Sequence, residues 1–252
     1  KTVFWIALIL LLQPYEWGRA IYAMINPDYV VATGHYMPYA IRAQEATANG
    51  NFFEVLCSNI SDGQLYSNIW QVENGRLFQT AALFMFGMLL GRRKYLIKSE
   101  ESVRFWKKML KGAVLAFIPL YCLKTFVPDL LTNPSVQIPY KIAVPSYANF
   151  AFMIILVSIF TLLWFKKEKG YGWQSLLIPY GRMSLTNYIS QSIMGVIIYY
   201  GFGLAMYKYA GATASLLIAL LIFTVQLIFS RWWLARHKQG PLEFLWRKGT
   251  WI

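Results

Sequence analysis

The residues best suited to chemistry in this chain are neutral and polar, and they cluster in GRMSLTNYISQS, residues 181–192. Read as a helix, Ser184, Asn187 and Gln191 recur at spacings of three and four. They form one stripe, with Gly181 below and Gly195 above. Tyr188 sits beside that stripe, and Gln226 and Ser230 repeat the idea in a later apolar stretch. Polar groups at this density inside an apolar helix should face protein or water, not lipid. Two roles fit. One is interhelical hydrogen bonding, worth ~0.6 kcal/mol per contact. The other is the wall of a polar cavity formed by Ser184, Asn187, Tyr188, Gln191 and Gln226.

The C-terminal stretch RHKQGPLEFLWRKGTW is the second region of interest. Gly240 and Pro241 make a turn, and Glu243 and Arg247 stand at i and i+4, a spacing that permits a helix ion pair. Gly240, Pro241, Glu243 and Trp246 are expected to dock this tail beneath the helices. Arg182, Arg236, Lys238 and Arg247 can instead contact an anionic ligand. The two histidines are His35, beside Tyr36, and His237, in the basic tail; both read as surface residues. No spacing of Cys, His, Asp or Glu reads as a metal site. There is no phosphate-binding loop, no nucleophile elbow and no pair of acids inside an apolar stretch.

Six apolar stretches must position these groups: roughly Thr2–Ile25, Gly75–Leu90, Trp106–Val127, Tyr147–Phe165, Met183–Tyr207 and Ala212–Leu234. A spanning helix needs about 20 mostly apolar residues to cross ~30 Å of hydrocarbon. The second stretch is short and needs a thin bilayer or help from its flanking arginines. Of the 24 Lys and Arg, only Arg19, Arg42, Arg76, Lys124, Lys141 and Lys208 fall outside one alternating set of connections. That set comprises Lys1, the 92–111 and 166–182 connections and the tail. The bias predicts both ends in the cytoplasm. It also accounts for the net charge of +13 without a nucleic-acid partner. The expected partners are the lipid bilayer and its anionic headgroups.

With 57% hydrophobic, 17% aromatic and 14% charged residues, the composition fits a single all-α membrane domain over residues 1–252, a polytopic transmembrane helix bundle. Trp17, Trp106, Tyr147, Tyr207, Trp232 and Trp233 are expected in interfacial belts. Pro14 should end or kink the first helix. Residues 26–74 are the longest polar region and read as short amphipathic helices forming an outer cap. Gly87 and Gly91 are spaced for a close helix approach. Pro134, Pro139 and Pro145 predict a turn-rich exterior connection over 129–146. Cys57 and Cys122 leave at most one disulfide. The chain begins at Lys1 in apolar sequence, which reads as a fragment whose upstream helices are missing. Depth arithmetic makes a sharper prediction. Asn187 is five residues above Arg182 and Gln226 six below Trp232, so both lie ~8–9 Å inside and share a layer.

GRMSLTNYISQS, GPLEFLWR and the upstream FQTAALFMFGMLLGR together resemble the YeiB-like family of bacterial membrane proteins, domain-of-unknown-function family 418. The resemblance covers about Gly75 to Trp251. It matches Gly181, Arg182, Ser184, Thr186, Asn187, Tyr188, Gln191, Ser192, Gly240, Pro241, Glu243, Trp246 and Arg247. QPYEWGRAIYAMINPDYV is similar to versions from Bacteroidota. By distant similarity, the resemblance implies a relation to the acyltransferase-3 and heparan glucosaminide N-acetyltransferase types, whose bundles pass an acyl group across the membrane. Acyl-CoA would then be a substrate, no cofactor would be bound permanently, and an envelope sugar or lipid would be modified. The histidine and arginine motifs of those proteins lie in early helices that this chain lacks, so no catalytic residue carries over. The alternative is a transporter or lipid-handling protein without covalent chemistry, and a scaffold subunit is a third reading.

Overall fold

A computed structural model describes residues 2–26, 28–166 and 172–250. Among them every regular element is helical, so the fold is all-α. The helices are α1 (Thr2–Leu11), α2 (Pro14–Ile25), α3 (Met37–Asn49), α4 (Phe52–Ser58), α5 (Gln64–Glu73) and α6 (Arg76–Arg92). They continue as α7 (Glu100–Phe126), α8 (Pro134–Lys166), α9 (Trp173–Arg182), α10 (Ser184–Tyr199), α11 (Ala212–Leu234) and α12 (Pro241–Thr250). Among the described residues, three helical segments are long and apolar enough to cross a membrane: Glu100–Leu130, which is α7 with the turn after it, α8 and α11. The other three expected spans are shorter helices. Pro14 splits the first into α1 and α2, α6 has 17 residues, and α10 has 16 because the chain turns after Tyr199. Residues 26–74 form short helices, as their pattern predicts. An Asn51–Glu54 capping box starts α4.

The chain divides into two compact units. The first comprises residues 1–37 and 65–166. Its centre is the α7–α8 hairpin, closed by the short 3-10 turn Pro128–Leu130. Gln137 Nε2 donates to Pro128 O at 2.6 Å, and Tyr140 Oη to Leu123 O at 3.0 Å. The turn-rich connection expected over 129–146 is instead mostly helix, since α8 runs unbroken through Pro139 and Pro145. Pro134 occupies the start of α8, where its missing N–H costs nothing. An apolar helix packed on neighbours tolerates the two interior prolines.

At the α1–α2 break, Gln13 takes a left-handed backbone with φ 52° and is fully buried. Its Nε2 donates to Gly75 O at 3.0 Å. Gly75 has φ +62°, and a Cβ there would lie 2.4 Å from Gln13 Oε1, so both conformation and space demand glycine. Trp17 Nε1 donates to Tyr147 Oη at 2.7 Å, and Tyr147 Oη donates to Leu12 O at 2.5 Å. Tyr147 thereby satisfies the Leu12 carbonyl just past the end of α1. Trp106 departs from the interfacial belt: it is buried, with Nε1 bonded to Tyr95 O at 2.8 Å. Gly87 and Gly91 have open space where a Cβ would stand, so neither mediates a close helix approach.

The second unit comprises residues 38–64 and 167–252. Its α9 arises where only a connection was expected, and a break at Met183, φ −112°, separates it from α10. After α10, Gly201 N donates to Thr47 O at 2.9 Å, and a Cβ on Gly201 would collide with Ala48 O. α11 matches its expected bounds. Cys57 and Cys122 are both free thiols. Lys1, Lys167 and Lys169, used to assign orientation, and Trp251 lie outside the described residues.

Candidate functional site: a polar layer and its docked tail

The second unit gathers the chain's main constellation of buried amides and hydroxyls where α9, α10 and α11 meet. Asn187, Gln226 and Ser230 are 2%, 3% and 0% exposed. Asn187 Nδ2 donates to Ser230 Oγ at 3.0 Å and to Tyr180 O at 3.0 Å. The second bond reaches across the Met183 break to a carbonyl near the end of α9. Ser230 Oγ lies 3.3 Å from Asn187 Oδ1. Gln226 Nε2 donates to Asn187 O and to Ser190 Oγ, both at 2.8 Å, while Tyr180 Oη donates to Gln226 Oε1 at 3.3 Å. The shared depth predicted for Asn187 and Gln226 is therefore realised as direct contact.

The other cavity candidates stand apart. Ser184, Tyr188 and Gln191 are exposed. The physical reason is rotation about the helix axis. At about 100° per residue, Met183, Thr186 and Ser190 fall on one side of Asn187, and Ser184, Tyr188 and Gln191 on the other. The core covers the first side. Asn187 and Gln226 accordingly bond to each other's helices instead of lining a void. Sequence reading missed Tyr180 and Ser190; they stand seven residues before and three residues after Asn187, about two turns and one turn away.

The tail docks through one carboxylate. Glu243 Oε1 accepts from Thr186 N at 3.0 Å, and Oε2 accepts from Thr186 Oγ1 at 2.5 Å. Thr186 Oγ1 in turn accepts from Leu242 N at 3.2 Å. Glu243 therefore faces α10 and makes no ion pair with Arg247, contrary to the i,i+4 expectation. Gly240 is buried, and a Cβ there would press on the Glu243 carboxylate and on Thr186 Oγ1, so a larger residue would have to displace the docking contact. Pro241 is half-buried. Trp246 is exposed, and no hydrogen bond ties its indole to α10, contrary to the docking role expected for it.

Of the anion-contact candidates, Arg182 Nη2 is spent on Lys238 O at 2.8 Å, and Arg236 lies 4.8 Å from the centre of the Trp232 ring. Lys238 and Arg247 are exposed. His237 stacks on Trp233 with ring centres 4.0 Å apart. In the first unit, His35 Nδ1 lies 2.6 Å from Glu73 Oε1. The same carboxylate accepts from Gly34 N at 2.8 Å and His35 N at 3.1 Å, which makes it a clamp on that turn. No group of three or more His, Cys, Asp or Glu that could hold a metal occurs among the described residues.

Comparison with known proteins places the chain in a family. The sequence profile of the family described as "Protein of unknown function (DUF418)" matches residues 90–252, and the chain belongs to that family. It is similar to the "Uncharacterized protein YxaH" of Bacillus subtilis, 42% identical over 72 residues, or 29% of this chain and 18% of that protein. The "Uncharacterized 39.9 kDa protein in amylase 3'region" of Bacillus acidopullulyticus is 45% identical over 76 residues, covering 30% of the chain and 21% of that protein. "Uncharacterized protein YeiB" of Escherichia coli is 36% identical over 70 residues, covering 28% and 18%. Each match thus spans only a small part of its relative. No solved structure matches the chain.

Burial alone pushes the Glu243 carboxyl up, but hydrogen bonds from the Thr186 hydroxyl and from backbone N–H groups outweigh it. They hold the carboxyl below its ordinary value near 4.5. A lowered folded value means the carboxylate's stabilisation is present above the ordinary value and is lost as pH falls through the folded one. Hydrogen exchange of α12 should therefore be constant from neutral pH down to the ordinary glutamate range and quicken below it, beyond the intrinsic pH dependence. Glu243→Gln should show faster exchange at neutral pH and no such transition. A wild-type α12 whose corrected exchange ignores acid would contradict this.

Proposed function

We propose that this chain is an integral protein of the bacterial cytoplasmic membrane, with its basic connections in the cytoplasm. We further propose that it takes part in transferring an acyl group from acyl-CoA to an envelope sugar or lipid. The observation that carries the reading is a dense basic surface at the end of α6 and the start of α7. Arg92, Arg93, Lys94, Lys98, Arg104, Lys107, Lys108 and Lys111 are exposed, and none forms an ion pair among the described residues. Eight unpaired cations within 20 residues suit phosphate groups, whether of anionic lipids or of a nucleotide-bearing thioester.

A shallow, open depression lies in this surface, lined by Lys98, Ser99, Glu100, Val103 and Arg104. The acyl-transfer part rests on the resemblance of the family to membrane acyltransferases, and the catalytic groups are expected outside the residues matched here. Transport or lipid passage along α10 and α11 has weaker support, because their buried amides bond to one another. The polar layer is read as an anchor for α10, α11 and α12.

Two measurements test this. With Cys57 and Cys122 replaced, single cysteines near Lys98 and Arg247 should resist membrane-impermeant thiol reagents in intact cells, while those near Arg42 and Asp129 should react; the reverse pattern overturns the orientation. Mass spectrometry of envelope glycans and lipids from a deletion strain should show one fraction losing an acyl group, restored by the intact gene. Unchanged acylation in every fraction contradicts acyl transfer.

A further inference from the structure

The docked tail has a second surface that the hydrogen bonds to α10 do not use. Phe244, Leu245 and Trp246 are 52%, 60% and 66% exposed, three consecutive large apolar side chains on a ten-residue helix. At about 100° per residue, Leu245 lies roughly 200° round from Glu243, and Phe244 stands between them. Glu243 is fixed on Thr186 by two hydrogen bonds, so the rotation of α12 about its axis is set. With that rotation set, Leu245 is turned away from α10, Phe244 lies to one side and Trp246 about 60° from Glu243 on the other, and all three side chains are exposed. Arg247 and Lys248 are exposed on the same helix.

Trp232 at the end of α11 is also exposed, with the Arg236 guanidinium over its ring. Only six residues separate Leu234 from Pro241. Trp233 Nε1 bonds to Gln239 O at 3.0 Å and Arg182 to Lys238 O, which ties that short connection to the helix ends. α12 therefore starts at the level where α11, long enough to span, leaves the apolar layer.

We infer that α12 is a membrane-surface helix, with Phe244, Leu245 and Trp246 seated in the headgroup layer of an anionic leaflet and Arg247 and Lys248 at its phosphates. The inference rests on the membrane reading given under Proposed function. The partner is a lipid surface, and charge complementarity selects it. A stretch of exposed aromatic and aliphatic side chains flanked by cations is the composition of helices that lie in the interface. Lys248, on the apolar side of the helix, can extend its ammonium to the phosphates while its stem stays among the acyl chains. Trp246 has an apolar body and one N–H, which suits the boundary between chains and headgroups. The Glu243–Thr186 contact thus does more than close the second unit, because it decides which face of α12 meets lipid.

The test uses the full chain in vesicles of phosphatidylcholine mixed with phosphatidylglycerol, with Cys57 and Cys122 replaced by serine. A nitroxide is attached at Trp246→Cys in one sample and at Leu220→Cys, on the exposed face of α11, in another. Collision with oxygen reports lipid exposure, and collision with a water-soluble nickel complex reports solvent. Both positions should favour oxygen, with 220 deeper and 246 just below the phosphates. Arg247→Glu combined with Lys248→Glu should move 246 toward water in the mixed vesicles but little in phosphatidylcholine alone. If 220 meets oxygen while 246 meets nickel several-fold more readily, the inference fails and the membrane reading stands. If 220 also meets nickel, the membrane reading itself fails. Exclusion of both reagents from 246 would mean that protein covers the helix, and that too overturns the inference.

Discussion

An amide or hydroxyl buried among apolar side chains must find a partner, because leaving it unpaired costs about 1–3 kcal/mol, as much as several packing contacts return. This constraint organises the second unit. Asn187 is buried beside a helix break, and each polar atom near it is answered. Its Nδ2 reaches Tyr180 O and Ser230 Oγ, and Gln226 Nε2 takes Asn187 O and Ser190 Oγ. At the Met183 break Tyr180 O accepts the Met183 N–H, and Asn187 Nδ2 of α10 adds a second donor to the same carbonyl. The position of α11 follows, since Gln226 and Ser230, one turn apart, both have to face that point. The tail follows from Thr186, the neighbour of Asn187, whose N–H and hydroxyl hold Glu243.

The first unit meets the same constraint differently. Its helix break at Gln13 and Pro14 is closed by Gln13 on Gly75 and by Tyr147 on Leu12. In both units a helix interruption is tolerated because polar side chains of other helices reach the freed backbone. Interruptions of this kind serve membrane proteins as places to build sites. At the Met183 break the side-chain amides bond to neighbouring helices, which suits fixed geometry better than a path, while at the first break Gln13 Oε1 is buried without a partner. In the reading proposed above, the functional surface of the first unit is expected where polar groups are unspent, at the cations of residues 92–111.

Much of this was legible in the residues. α11 could be read end to end, because Gly211 and the cluster RWW bracket an uninterrupted apolar run. A shared layer for Asn187 and Gln226 followed from helical rise, and its facing the interior from the cost of an unpaired amide in an apolar layer. The face of α10 did not. Ser184 and Gln191 share a stripe with Asn187, but so do Met183 and Ser190 on its other side, and only the tertiary core chooses between them. The prolines of α8 misled in a similar way. Pro139 and Pro145 signal breaks in water, whereas a packed apolar helix absorbs them. Glu243 and Arg247 had the spacing of an ion pair, but the Thr186 hydroxyl and backbone N–H together offer a carboxylate more than one exposed guanidinium does. The helix α9 went unread because WQSLLIPYGR is short, carries Pro179 and lies between basic residues.

The most direct test of the account is a double-mutant cycle on Asn187 and Ser230 in the purified full chain, with reversible unfolding followed in detergent micelles. Asn187→Ala and Ser230→Ala each remove one end of the 3.0 Å bond between α10 and α11. The account predicts a coupling of about 0.6–1.7 kcal/mol, the range for hydrogen bonds between membrane helices. It also predicts near-neutral behaviour for Gln191→Leu, which touches none of the layer. Additive effects at Asn187 and Ser230, within about 0.3 kcal/mol, would show that the two residues are energetically independent and would contradict the claim that this layer holds the helices together.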